Sequence, residues 1–296
     1  MVPQTAATSR SRADVPAATP VGAEALINAA TPGRFTIDQL LTVLDVRGDV
    51  PPVPARTLAS QHGGVLGAQQ LGQQIVLAER LTPGKIVHSL HTLFSRPGDC
   101  RSPVWIDVEH LAHGRSVGAL ALSVRQDSEA LSRTNMMLRA PEPDLGRHAT
   151  TTVLPSGPET AESEDHLRTG PWEVRLVSPG AGLQREHWVR VPAAGDDPTI
   201  WRALIAQACE FLPLPDILLA NGIPLSAGTV PANVTALVLS MTVTFFDEAD
   251  IRDWMLYRVS GLHVAGGRTA SRIEIFSGDG ELRAEASVIG VLRQRS

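Results

Sequence analysis

Residues 64–78 read GVLGAQQLGQQIVLA and carry no charge over about four turns at 3.6 residues per turn. A helix with one face in water is striped; this stretch is apolar or neutral on every side. The pattern predicts a helix over 64–80 that is wrapped by other structure. Gly67 and Gly72 each cost about 1 kcal/mol of helix propensity relative to alanine. Their use is to let a sheet approach the helix backbone closely. Pro83-Gly84 breaks the chain, and Ile86 to Phe94 follows as a β-rich run that ends at Ser95-Arg96-Pro97-Gly98-Asp99. One enclosed helix and an antiparallel sheet to enclose it make the fold class α+β.

The pattern then repeats. Further strands are expected near 104–111, 116–125 and 130–138, with His113-Gly114 as a turn. In the second half, Trp172–Val177 and Glu186–Val191 alternate as strands, and a second central helix runs from Thr199 to Phe211. Strands follow near 234–246, 254–263, 268–276 and 281–293, and Ser277-Gly278-Asp279-Gly280 turns the last two. Residues 1–33 read as a flexible tail and 141–170 as a mobile, partly acidic linker between domains at 34–140 and 171–296. At 296 residues the chain is long enough to bury two cores. Its net charge of −5 without a basic stripe gives no reason to expect nucleic acid. Two cysteines, Cys100 and Cys209, make no disulfide framework, which fits a reducing cytoplasm. No run of 18 uninterrupted apolar residues suggests a membrane span.

At these motifs the chain resembles the acyl-CoA thioesterase II family. The family's G-x-Q-x-L-G-Q reads here as Gly67, Gln69, Leu71, Gly72 and Gln73; H-S-L-H…F-x-R-P-G-D reads as His88 to His91, Phe94 and Arg96 to Asp99. Val108-Glu109, Gly114-Arg115-Ser116 and Val124-Arg125-Gln126 match as well. The resemblance implies a tandem double hotdog fold, each unit an antiparallel sheet wrapped around a central helix. It also implies hydrolysis of an acyl thioester, carried by coenzyme A or a carrier protein, without a cofactor, and a homodimer or higher oligomer.

The resemblance places the water-holding groups in the second unit: an aspartate at the end of the central helix, a threonine and a glutamine. Carried over by position, Ala206-Gln207-Ala208-Cys209-Glu210 puts Glu210 at the aspartate. Val238 stands at the threonine and Val288 at the glutamine. Valine neither donates nor accepts, so Glu210 is left as the candidate general base. Its place beside Phe211 and Leu212 suggests partial desolvation and a raised pKa; a solvated or salt-bridged helix-end carboxylate is the plainer alternative. Gly67 and Gln69, at the start of the first helix, offer free backbone N–H groups to a bound carbonyl. His88, Thr235, Ser240, Thr242 and His263 are further polar candidates for binding substrate. His88 and His91 have no third ligand at metal-binding spacing, so no metal is expected. The reading that competes with hydrolysis is a triad-less hotdog protein of a specialised biosynthetic pathway. Such a protein binds an acyl thioester or performs dehydration, isomerisation or cyclisation on it.

Overall fold

The computed structural model describes residues 35–58, 63–163, 170–179, 182–225 and 230–295, so the expected N-terminal tail lies outside the described residues. Helix α1 (Ile37–Leu44) opens on a capping box. Gln39 N–H donates to the Thr36 hydroxyl, the Gln39 side chain accepts from Thr36 N–H, and Leu40, Val43 and Leu44 are buried. The first half continues with β1 (Val53–Ala55), α2 (Gly67–Leu81), β2 (Ile86–Phe94), β3 (Val104–His113), β4 (Val117–Gln126) and β5 (Glu129–Arg139). The second holds β6 (Glu162–Ser163), β7 (Glu173–Pro179), β8 (Gln184–Arg190), α3 (Pro198–Phe211) and α4 (Pro213–Ala220). It ends with β9 (Val234–Phe245), β10 (Met255–Ala265), β11 (Arg268–Phe276) and β12 (Leu282–Gln294).

All the strands among the described residues form one 12-stranded sheet in the order β1-β3-β4-β5-β2-β9-β12-β11-β10-β8-β7-β6. The halves meet where β2 pairs antiparallel with β9, from Ser89 opposite Thr244 to Leu93 opposite Ser240. No edge is left open between them, which removes an aggregation-prone strand from each. Alternation sets the two faces: in β9, Met241, Val243 and Phe245 are buried, and Ser240, Thr242 and Thr244 point the other way.

Helices α2 and α3 lie inside the sheet and run antiparallel, because contacts that advance along one retreat along the other. Gly67 meets Glu210, Gly72 meets Gln207, and Glu79 meets Arg202. A β-carbon on Gly72 would come within 2.6 Å of Gln207 Nε2 and 2.7 Å of Leu44 Cδ2. The expectation that this glycine serves close approach of a sheet is therefore corrected: at Gly72 it is helices α3 and α1 that approach.

Two further elements differ from the sequence reading. Helix α4 follows α3 almost without a break, because Leu212 between them keeps right-handed helical angles. Together Pro198–Ala220 is long and apolar enough to cross a bilayer by length and composition, but 67% of its apolar window is buried inside the fold, as in a core helix. The segment after β5, expected to be mobile, is held down along part of its length. Arg147 bonds to Asp247 and Glu281, Thr152 N–H donates to Gly280 C=O, and Trp188 Nε1–H donates to Ser156 C=O.

Candidate active site

Each central helix carries one acidic residue, and each places it in the last turn: Glu79 in α2 and Glu210 in α3. Antiparallel packing points each at the start of the opposite helix. The two carboxylates then meet different company. Glu79, at 8% exposure, accepts from Arg202 Nε (2.7 Å) and Nη2 (2.6 Å), from the Thr199 hydroxyl (2.9 Å) and from Val87 N–H (2.9 Å). Its charge and lone pairs are satisfied.

Glu210 faces the first turn of α2, where the side chains are Gly67, Ala68 and Gln69. It has no hydrogen-bond or ion-pair partner among the described residues. Burial pushes its carboxyl up from 4.5 to about 7. The positive end of α2 pulls the other way, favouring the anion. A carboxylate that titrates near neutrality without a fixed partner is suited to taking a proton from water and giving it back.

The start of α2 supplies the complementary chemistry. Its N-cap is Leu66, which has no side-chain hydrogen bond to offer. The first intrahelical bond runs from Gln70 N–H to Leu66 C=O at 3.3 Å, so the N–H groups of Gly67, Ala68 and Gln69 have no acceptor within the helix. Donors of this kind stabilise an oxyanion. Gly67 brings them close to the carboxylate: a β-carbon there would lie 3.0 Å from Glu210 Oε1 and 3.2 Å from Phe94 Cε1. Gly67→Ala is expected to lower kcat about tenfold by displacing the carboxylate a few tenths of an ångström. Its melting temperature should stay within a few degrees of wild type. Equal kcat for both proteins would show that this contact does not matter.

The other sequence candidates fall elsewhere. The Gln69 side chain is not free to bind substrate: it accepts from Leu58 N–H and donates to Arg56 C=O, clamping the segment that follows β1. Only its backbone N–H faces the site. His88 sits at a bulge between Val87 and Ser89, with Nδ1 2.9 Å from Phe245 C=O, and so ties the two halves together. That bulge, not simple alternation, puts His88 on the same side as His91. Thr242 bonds His91 on the outer side of the sheet, and Ser240 shares that side, so strand phase removes both from the Glu210 face. Thr235 pairs with Arg293 near the start of β9, and His263 is exposed on β10 opposite Ala270.

Val238 and Val288 do face inward. Val288 is 2% exposed, and Val238 packs against the core. The register adds what the sequence reading missed: Val238 lies opposite Gly290, Gly290 opposite Thr269, and Val288 opposite Ser271. Thr269 and Ser271 are each 3% exposed. They fall in phase with buried Ile273 and Ile275, and that phase was the signal available in the sequence.

Comparison with known proteins places this double unit of helix and sheet in a family. Residues 51–140 match the family of the acyl-CoA thioesterase N-terminal domain, and residues 138–287 that of the acyl-CoA thioesterase C-terminal domain. The chain belongs to the acyl-CoA thioesterase family. It is 26% identical over 255 residues to acyl-CoA thioesterase 2 of Haemophilus influenzae, covering 77% of this chain and 87% of the relative. Among solved structures it is similar to the tesB protein of Mycobacterium avium subs paratuberculosis, with a TM-score of 0.74 at 23% identity, over 87% of this chain and 99% of the other. It is similar also to the acyl-CoA thioesterase II TesB2 of Mycobacterium marinum, with a TM-score of 0.73 at 23% identity, over 87% and 99%. These structures show the tandem hotdog fold.

Proposed function

We propose that the protein hydrolyses an acyl thioester, with Glu210 as general base and the first turn of α2 as the oxyanion site. The observation that carries this reading is the contrast between the two helix-end glutamates. One is fully paired; the other is unpaired, titrates near 7 and faces uncapped N–H groups. In the reaction Glu210 takes a proton from water as the water oxygen bonds to the thioester carbonyl carbon. The carbonyl oxygen becomes an anion held by N–H groups of Gly67, Ala68 or Gln69. The carbon–sulfur bond then breaks, and the proton passes from Glu210 to the departing thiolate, leaving a carboxylic acid and a thiol. Family membership supports coenzyme A as the thiol carrier. Two free cysteines are in keeping with a cytoplasmic setting, and exposed Leu93, Met137 and Ile289 are in keeping with a homo-oligomer.

The test is thiol release from short-, medium- and long-chain acyl-CoAs as a function of pH. Because the base must be ionised, kcat/KM should rise with pH through about 7 and level off above it. A profile flat from about pH 5 to 8 would remove Glu210 as the base. Absence of turnover on every acyl-CoA would remove the hydrolysis of acyl-CoA itself.

A further inference from the structure

Resting on the hydrolytic reading above, we propose that Thr269 and Ser271 hold an oxygen atom borne by the acyl chain. The preferred substrate is then an acyl thioester carrying a hydroxyl or carbonyl group along its chain.

Both residues point from β11 to the inner side of the sheet and are almost wholly enclosed. Neither hydroxyl has a hydrogen-bond partner among the described residues. Neither oxygen is fully sealed, so each still meets accessible space at the inner face; Thr92, Thr134 and Ser132, on the same inner face of the first half, are instead bonded within the protein. The surroundings of the pair are otherwise apolar, with Val288 beside Ser271 and Gly290, then Val238, beside Thr269. A few placed polar groups in an apolar lining are what orients a ligand.

The position relative to Glu210 comes from the helix above. Leu214 follows Glu210 by one helical turn and reaches the same place on the sheet. At Gly290 a β-carbon would be 3.0 Å from Leu214 Cδ2 and 2.7 Å from Thr269 Oγ1. The absence of a side chain at Gly290 keeps the front of the Thr269 hydroxyl clear. One turn of helix, about 5.4 Å, is a short stretch of acyl chain, so a chain whose thioester sits at Glu210 brings its middle carbons to β11. Two hydroxyls on alternate strand residues are about 7 Å apart, too far to serve one attacking water together. An oxygen on a passing chain can meet either.

The experiment compares octanoyl-CoA with 3-, 5- and 7-hydroxyoctanoyl-CoA for wild type, Thr269→Val, Ser271→Ala and the double variant. It measures kcat/KM by thiol release, and Kd by calorimetry at about pH 5.5, where Glu210 is protonated. Wild type should favour one hydroxyoctanoyl isomer over octanoyl-CoA by about tenfold or more, and the double variant should bring that ratio near unity. Thr269→Val should melt no lower than wild type, because the hydroxyl it removes has no partner in the protein. Equal handling of all four thioesters by wild type, or variants that slow every substrate in the same proportion, would overturn the proposal. Isomer-specific, Thr269-dependent binding without any turnover would sink the hydrolytic reading and leave the recognition standing. Turnover without discrimination does the reverse, and neither binding nor turnover ends both.

Discussion

Glu210→Gln will be catalytically dead, with kcat reduced about 10³-fold or more, and at pH 8 it will be more stable than wild type. The activity loss follows from removing the one unpaired carboxylate at the seam while keeping its shape. The stability gain follows from linkage. Burial raises the folded-state pKa of Glu210 from 4.5 to about 7. Between those values the folded protein holds a proton that the unfolded chain has lost. Wild-type stability therefore falls as pH rises through that window, and the full cost is present above about 7. A shift of that size corresponds to about 3 kcal/mol; because the side chain still partly reaches solvent, about 2 kcal/mol is the better figure. Glutamine never bears the charge, so the two proteins should melt together near pH 5 and diverge by several degrees at pH 8. A glutamate held in a salt bridge would do the opposite, and its glutamine variant would melt lower at pH 8. Melting curves at both pH values decide between these arrangements without any substrate.

Much of the architecture was legible because period and phase are local properties. The uncharged run at 64–78 announced α2, and β2 begins and ends where Ile86 to Phe94 suggested. Glu210 was reached through the family resemblance, which sets it at the aspartate position, and it lies in the last turn of α3. Other features escaped for specific reasons. Strand β1 is three residues long and contains a proline, too short to show alternation. No reading covered α4, although Pro213 occupies a first-turn position where proline costs no hydrogen bond. Ser240 and Thr242 drew attention by residue type, although their phase against Met241, Val243 and Phe245 already put them on the outer face. Thr269 and Ser271 sit in a run of small and charged residues, and only the antiparallel register brings them opposite Gly290 and Val288. The partner of Glu79 lies 123 residues away, and nothing local marks it.

That long-range pair carries the largest stability effect expected in this fold. Arg202→Leu should destabilise the protein by about 3–5 kcal/mol, because it leaves the Glu79 carboxylate buried with only the Thr199 hydroxyl and the Val87 N–H to hold it. The cost is that of a stranded charge rather than of a lost attraction. The double variant Glu79→Met with Arg202→Leu should therefore recover most of the loss, and a double-mutant cycle measured by urea unfolding reads the difference directly. If the double variant is as unstable as Arg202→Leu, the pair contributes shape to the seam rather than charge compensation. Catalysis is tied to the same result. Helices α2 and α3 cross the boundary between the halves, and Glu79–Arg202 fixes one end of their packing while Gly67–Glu210 forms the other. Loosening the first end lets the helices slide, and Glu210 loses its place against the N–H groups of α2. Arg202→Leu should thus lose kcat in folded protein at low temperature, and the double variant should regain it together with stability. The repeat thereby divides its two glutamates between tasks: Arg202 and its hydrogen-bonding neighbours hold Glu79 so that the seam stays closed, and the lack of a counterpart at Gly67 leaves Glu210 free to move a proton.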